Sequence, residues 1–342
     1  MKETFKPIKA QSIGLITNYK CTFSCKHCLY ASSPYIDENI NENNLYKIID
    51  LINENLPYVD LHIGGGEPLL NYETIIKLLK YIHTKSNINL EYLETNGFLL
   101  LKNTDKKLQE LKQTGLKTLL LSIDPFHGEF ISVNQLKFLL NKIIEYFGVN
   151  GLFPWHPEYL QYMEKLAPNS THKIEEYFQH FDITDITTQL TGITYIHPGG
   201  RAAFFLAKYL KKYKAEDLLN IDCSSKLASP IHAHIDYAGN YITGFCSGLR
   251  IGENTFFNPK KLYNEGINLK NYPILDILIN HGLKGLLNFA IDKGYKSQPE
   301  GYVSPCHLCL DIRLFLFNKN HYNSLYPRFF YIDLINRLKG GT

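Results

Sequence analysis

The sequence predicts an α/β protein: a partial (β/α)6 TIM barrel followed by a smaller α+β domain. Two observations predict it. In the first two-thirds of the chain, short apolar runs ending in glycine or polar residues alternate with segments whose apolar residues recur at helical spacing, the pattern of βα units around a parallel sheet. After about residue 205 a hairpin pattern and long helices replace that alternation. "SIGLIT" (12–17) is the first buried strand, and Leu45, Ile48, Ile49 and Ile52 mark the helix that completes its unit. "YVDLHIGGGEP" (58–68) gives a second strand ending in glycines, and Ile75, Ile76, Leu79 and Ile82 give its helix. "INLEYLETNG" (88–97) and "LKTLLLSID" (116–124) are the third and fourth strands, with a charged helical segment between them. "VNGLFPW" (149–155), interrupted by Pro154, and "ITTQLTGITYI" (186–196) are the fifth and sixth, separated by two helices around 158–180.

A boundary near 205–222 divides the chain into domains 1–210 and 211–342; one continuous domain with helical decoration is the alternative. The second part holds a hairpin, "IHAHIDYAGNYITGFC" (231–246), with its turn at Gly239-Asn240. A helix from about 272 to 293, "PCHLC" (305–309) and a final helical segment rich in Tyr and Phe follow. With 20% charged residues and a net charge of +3, the chain has no polyanion-binding character, so nucleic acid is not a favoured partner. The N-terminus lacks a signal-peptide pattern, and no apolar run approaches the ~20 residues of a membrane helix. The expected location is therefore the cytoplasm, away from the membrane. Thiols stay reduced there, which makes clustered cysteines metal ligands or catalysts rather than disulfides.

"YKCTFSCKHCLY" (19–30) gathers Cys21, Cys25 and Cys28 in a chain with seven cysteines. At that cysteine content, Cys-x3-Cys-x2-Cys arises by chance with a probability of about 0.3%. One loop with this spacing can wrap a metal centre with several thiolates. Three ligands leave one iron of a 4Fe-4S cubane open to a small molecule, whereas structural zinc needs a fourth, for which His27 is the candidate. "CTFSCKHC" directly after a first strand resembles the signature of the radical S-adenosylmethionine superfamily. The resemblance implies a 4Fe-4S cluster on Cys21, Cys25 and Cys28 whose open iron chelates the methionine moiety of S-adenosylmethionine. It also implies reductive cleavage to a 5'-deoxyadenosyl radical. His27 holds the place of the family's usual aromatic residue near the adenine.

The strand ends supply further candidates. "GGGEP" resembles the family's GGE motif, which implies contact of Gly64, Gly65, Gly66 and Glu67 with the methionine amino group; read alone, it is a tight strand-to-helix turn. Asn96, Ser122 and Asp124 end the third and fourth strands with groups suited to ribose hydroxyls or the methionine carboxylate, or to ordinary turns and caps. His127 and Glu129 in "DPFHGEF" are candidates for a substrate or proton-transfer role, against solvated loop residues or, for His127, a structural hydrogen-bond partner; Arg201 in "HPGGRA" is a candidate to orient an anionic group of the cofactor or substrate, or to cap a helix.

Cys223, Cys246, Cys306 and Cys309 form a complete ligand set that fits zinc or an iron-sulfur cluster equally by count. The region resembles the Twitch or SPASM auxiliary-cluster extensions of peptide-modifying radical enzymes, with too few cysteines for two extra clusters. That resemblance implies one second 4Fe-4S cluster and a ribosomally made peptide as substrate. It also implies an electron donor such as flavodoxin or ferredoxin; a leader peptide would need another docking surface or a separate leader-binding protein. The alternatives are a small-molecule substrate (cofactor precursor, sugar or amino acid) and a non-catalytic iron-sulfur or zinc protein.

Overall fold

The apolar runs of the first 155 residues form the expected strands, and the segments between them form the expected helices. The computed structural model describes residues 1–155, 157–180, 196–228, 231–251, 256–319, 322 and 324–340. It divides into two units. The barrel unit, residues 13–25 and 32–196, begins at β1 (Ser12–Ile16) and continues through α1 (Glu42–Asn55), β2 (Val59–Gly64), α2 (Tyr72–His83) and β3 (Ile88–Thr95). α3 (Thr104–Gln113), β4 (Leu119–Ser122), α4 (Val133–Phe147) and β5 (Leu152–Trp155) complete the regular part. The strands lie in the order β5-β4-β3-β2-β1, and β2 through β5 pair in parallel.

Local chemistry explains these boundaries. β4 is buried at every position, as strands of a parallel sheet covered on both faces require. α4 starts at a capping box, in which Ser132 and Gln135 satisfy each other's backbone N–H groups. Among the described residues β5 ends the strand order, with Pro154 opposite Leu121 of β4. The helices expected around 158–180 are the short turns Leu160–Met163 and Ile174–Tyr177. The sixth strand, expected at 186–196, lies outside the described residues except for Ile196. The barrel is thus a partial one, with five of its strands described.

The second unit comprises residues 1–12, 26–31 and 197–342. Its elements are α5 (Gly200–Leu206), α6 (Cys223–Ala228), β6 (His232–Asp236), β7 (Tyr241–Thr243), α7 (Pro273–Ile291), α8 (Pro305–Lys319) and α9 (Arg328–Leu338). β6 and β7 form the antiparallel hairpin read from the sequence, its turn held by Asp236 Oδ1, which accepts from the N–H groups of Ala238 and Asn240. The units part at residues 196 and 197, ahead of the expected 205–222, because α5 belongs with the C-terminal residues: Arg201 on α5 is bound by Asp333 on α9. Thr4–Phe5 pairs antiparallel with Ile267–Asn268, which brings the N-terminus into this unit.

α7 has the length and apolar composition to cross a membrane, contrary to the expectation that no such run exists. Its interior contradicts a span. Gly282 (φ 63°, ψ −162°) breaks the helix midway, leaving two halves each well short of the ~20 residues needed. Leu275, Leu278, Leu283, Leu286 and Leu287 are buried within the unit, where α7 packs on α6 and α8.

Candidate functional site

In the barrel unit the cysteine loop and the glycine loop are laced together through backbone. Gly66 N–H donates to Asn18 O at 2.8 Å, Glu67 N–H to Lys20 O at 2.9 Å, and Asn18 Nδ2 to Glu67 O at 2.9 Å. A Cβ on Gly65 (φ +151°) would lie 2.5 Å from Asn18 O, and one on Gly66 would lie 2.2 Å from Lys20 O. No real Cβ contact is that short, so glycine is required for two loops to meet at backbone distance.

Cys21 and Cys25 are buried thiols outside any disulfide, and each sulfur meets a strand-end side chain. Cys21 Sγ accepts from Phe23 N–H at 3.3 Å and from Asn96 Nδ2 at 3.6 Å. Asn96 Nδ2 also reaches Thr22 Oγ1 at 3.0 Å, while its Oδ1 accepts from Phe98 N–H. Cys25 is hydrogen-bonded to His127, whose Nδ1 lies 2.6 Å from Asp124 Oδ2. Asp124 Oδ1 in turn accepts from the N–H groups of Phe126 and His127, both at 2.9 Å. Burial by itself pushes the His127 imidazole down, but the Asp124 carboxylate and Cys25 outweigh it and hold the ring well above its usual range. Phe23 stacks on Phe130, with centroids 4.7 Å apart, and closes the loop with an apolar wall. Buried sulfurs that receive N–H donors are the environment iron-sulfur thiolates use, so these residues fit the cluster their spacing predicts.

Glu67 is fully buried and holds this arrangement together. Its carboxylate accepts from Leu69 N–H (3.0 Å), Thr95 Oγ1 (2.9 Å) and Asn96 N–H (2.9 Å). Desolvation pushes its pKa up to about 7 against the lowering effect of those bonds. A carboxyl whose folded pKa lies above its unfolded value destabilises the fold as pH rises from the unfolded toward the folded value. The protein is therefore expected to lose about 3 kcal/mol of stability between pH 4.5 and 7 through Glu67 alone. Urea midpoints at pH 5 and 7.5 check it: Glu67→Gln removes that part of the slope, and an equal slope in both proteins would contradict the assignment.

The other strand-end candidates divide. Ser122 is buried at the end of β4, opposite Trp155 in register. Glu129 Oε1 accepts from Ile174 N–H at the start of the turn Ile174–Tyr177, a capping position. His27 is half-buried in the second unit, where Cys28 O accepts from Arg201 N–H at 3.0 Å. Arg201 corrects an expectation: put forward as the partner of an anionic cofactor or substrate group, it is bound bidentately by Asp333 at 2.8 and 2.9 Å and donates to Ala31 O. Asp333→Ala leaves that buried guanidinium uncompensated and is expected to cost about 3 kcal/mol in urea unfolding. A loss below 0.5 kcal/mol, on the order of a surface pair, would contradict the clamp.

The remaining four cysteines converge in the second unit. Cys223 opens α6, Cys246 follows β7, and Cys306 and Cys309 share one face of α8 at i, i+3. Burial first, and then their mutual proximity, pushes the thiols of Cys223 and Cys246 up to about 12 and that of Cys306 to about 11. Cys306 Sγ also lies 3.9 Å from His197 Nε2. Four soft donors facing one another in a desolvated site suit zinc or an iron-sulfur cluster.

Sequence reasoning missed three residues. Asn18 laces the two loops, and Glu94 lies beside Gly64, with desolvation raising its pKa. Arg313 faces the cysteines of α8. Only Arg313 left a readable signal: it lies four residues after Cys309 and seven after Cys306, on the same helical face.

Residues 15–145 match the family model described as Radical SAM superfamily, so this part of the chain is a radical SAM domain. Among the relatives it resembles is "Putative peptide biosynthesis protein YydG" of Bacillus subtilis, 22% identical over 138 residues, covering 40% of this chain and 43% of that protein. Another is the GTP 3',8-cyclase of Aliarcobacter butzleri, 31% identical over 142 residues, covering 40% and 42%. The matches thus span less than half the length of these relatives. A solved structure described as native anSMEcpe with bound AdoMet aligns with 96% of this chain and 99% of its own, at 14% identity and a TM-score of 0.43.

Proposed function

We propose that the chain is a radical S-adenosylmethionine enzyme that modifies a ribosomally made peptide. The observation that carries this reading is the loop after β1: three cysteines at the spacing of an open cluster site, inside the radical SAM span, with side-chain N–H donors directed at Cys21 and Cys25. When bound, the cluster supplies the electron that cleaves the S-adenosylmethionine sulfonium and yields the radical that takes a hydrogen atom from the substrate. Cys21, Cys25 and Cys28 are its ligands. Asn96 and His127 orient the loop and its sulfurs, Glu67 fixes the backbone N–H of Asn96 and Asp124 the ring of His127, and the backbone of Gly64 to Gly66 with Ser122 and His27 completes the cofactor-binding set. Glu129 stands outside the chemistry as a cap, and Arg201 as a clamp.

Cys223, Cys246, Cys306 and Cys309 hold a second 4Fe-4S cluster with complete protein ligation, which orders the unit and relays electrons. The peptide reading is supported by the likeness to YydG, alongside this second thiol site. A flavodoxin or ferredoxin supplies the reducing electron, and a separate protein presents the leader segment. The likeness to a GTP 3',8-cyclase favours a second reading, a small-molecule substrate. Anaerobic reconstitution with S-adenosylmethionine and a strong reductant tests the core of the proposal. Release of 5'-deoxyadenosine and about eight irons per chain are expected. No 5'-deoxyadenosine under any condition leaves a non-catalytic metal protein, and about four irons with one zinc overturns the second cluster. A mass change in a precursor peptide, against one in a nucleotide or amino acid, decides the substrate class.

A further inference from the structure

We infer that Arg313 is the fixed counter-cation of the four-cysteine centre and holds its reduction potential up, an inference that rests on the second-cluster reading above. Arg313 is 6% exposed, on the third turn of α8. Its Nη1 donates to Ser247 O at 2.9 Å and to Tyr331 Oη at 3.0 Å, and the Tyr331 hydroxyl in turn donates to Gly248 O. These partners are neutral. Among the described residues no carboxylate pairs with the guanidinium, and its buried Nε finds no acceptor. A guanidinium taken out of water without a counter-charge costs several kcal/mol. Apart from the Tyr331 phenol, the groups beside it that can carry negative charge are the sulfurs of Cys246, Cys306 and Cys309, and it hydrogen-bonds toward Cys309.

The chemistry of the centre supplies the missing charge. Four thiolates around an oxidised 4Fe-4S core leave a net anion, and one-electron reduction makes it more negative. A buried cation in contact with it stabilises the reduced state more than the oxidised one, so the potential rises. Lys226 also faces Cys223 and Cys306, and Asp222 faces Cys223 with the opposite sign, but both are exposed and screened by solvent. Arg313 is therefore a positioning residue that acts through the sulfurs, and its helical phase with Cys306 and Cys309 keeps it there in either oxidation state.

The test uses the full chain with Cys21, Cys25 and Cys28 all changed to alanine, so that only the second centre reports. Iron and zinc are counted, and the midpoint is read by electron paramagnetic resonance during titration with dithionite, the one-electron reductant. Arg313→Gln is expected to shift the reduction equilibrium at least tenfold toward the oxidised state, a fall of about 59 mV for one electron. Arg313→Lys shifts it less, and Lys226→Gln hardly at all. An unmoved midpoint in Arg313→Gln, or an equal shift in Lys226→Gln, overturns the inference while leaving the cluster in place. If Arg313→Gln loses its iron and Arg313→Lys keeps it, charge is required and the inference stands. Loss in both makes the guanidinium's shape the requirement and overturns it. Zinc in place of iron in the parent overturns the second-cluster reading, and the inference falls with it.

Discussion

Changing Cys21, Cys25 or Cys28 to alanine is expected to abolish 5'-deoxyadenosine formation and to remove about four irons per chain. The expectation follows from ligand number. A site built to leave one iron open has three protein ligands and no spare, so removing one leaves a cluster held at two corners. The loop offers no replacement, since the sequence has seven cysteines and the other four are the ligands proposed for the second centre. His27 adjoins Cys28, but an imidazole is a poorer match than thiolate for such a cluster. Asn96→Ala makes a graded comparison. It removes the Nδ2 donor 3.6 Å from Cys21 Sγ and 3.0 Å from Thr22 Oγ1 while sparing every ligand. Second-layer partners of metal ligands typically contribute 10–100-fold in affinity or activity, so Asn96→Ala is expected to retain iron and to lose about that factor in cofactor cleavage. Cleavage at the parent rate in any of the three cysteine variants would mean that the loop does not hold the working cluster.

The parts of this protein legible in the sequence are those that local pattern encodes. Strand ends are one case: Gly64, Asn96 and Ser122 stand where β2, β3 and β4 stop or just beyond, because apolar runs give way there to residues that can turn. The cysteine spacing is another, since three ligands in one loop lie close whatever the rest of the fold does. Pairings across long sequence separations were not legible. Arg201 meets Asp333 over 132 residues, and Thr4–Phe5 meets Ile267–Asn268, so no window of local sequence carries either. Arg201 stands in a glycine-rich segment of the kind that binds anions, and only the packing of α5 reveals a carboxylate already there. Glu67 has the same limit. Its motif gives a location, whereas its hydrogen bonds to Leu69, Thr95 and Asn96 depend on how β3 ends beside it.

Cys306→Ala is expected to separate cofactor cleavage from productive turnover. It removes one of the four ligands proposed for the second centre, whose thiols come from three places in the chain: the start of α6, the segment after β7 and the first turns of α8. A centre bound to all three ties together segments 23 residues or more apart, and its binding energy is gained only on folding. Losing it should lower the thermal midpoint and raise hydrogen exchange in α6 and α8, with α1 through α4 unchanged. Iron should fall from about eight to about four per chain. Uncoupled 5'-deoxyadenosine release should persist, because Cys21, Cys25 and Cys28 are untouched. Turnover of the proposed peptide substrate should fall by at least about tenfold, the minimum consistent with an electron relay. The His197 ring, 3.9 Å from Cys306 Sγ, cannot substitute without losing the sulfur that the other three ligands are spaced around. Unchanged turnover with halved iron would reduce the second centre to a structural staple. Unchanged iron would mean that Cys306 is not a ligand at all.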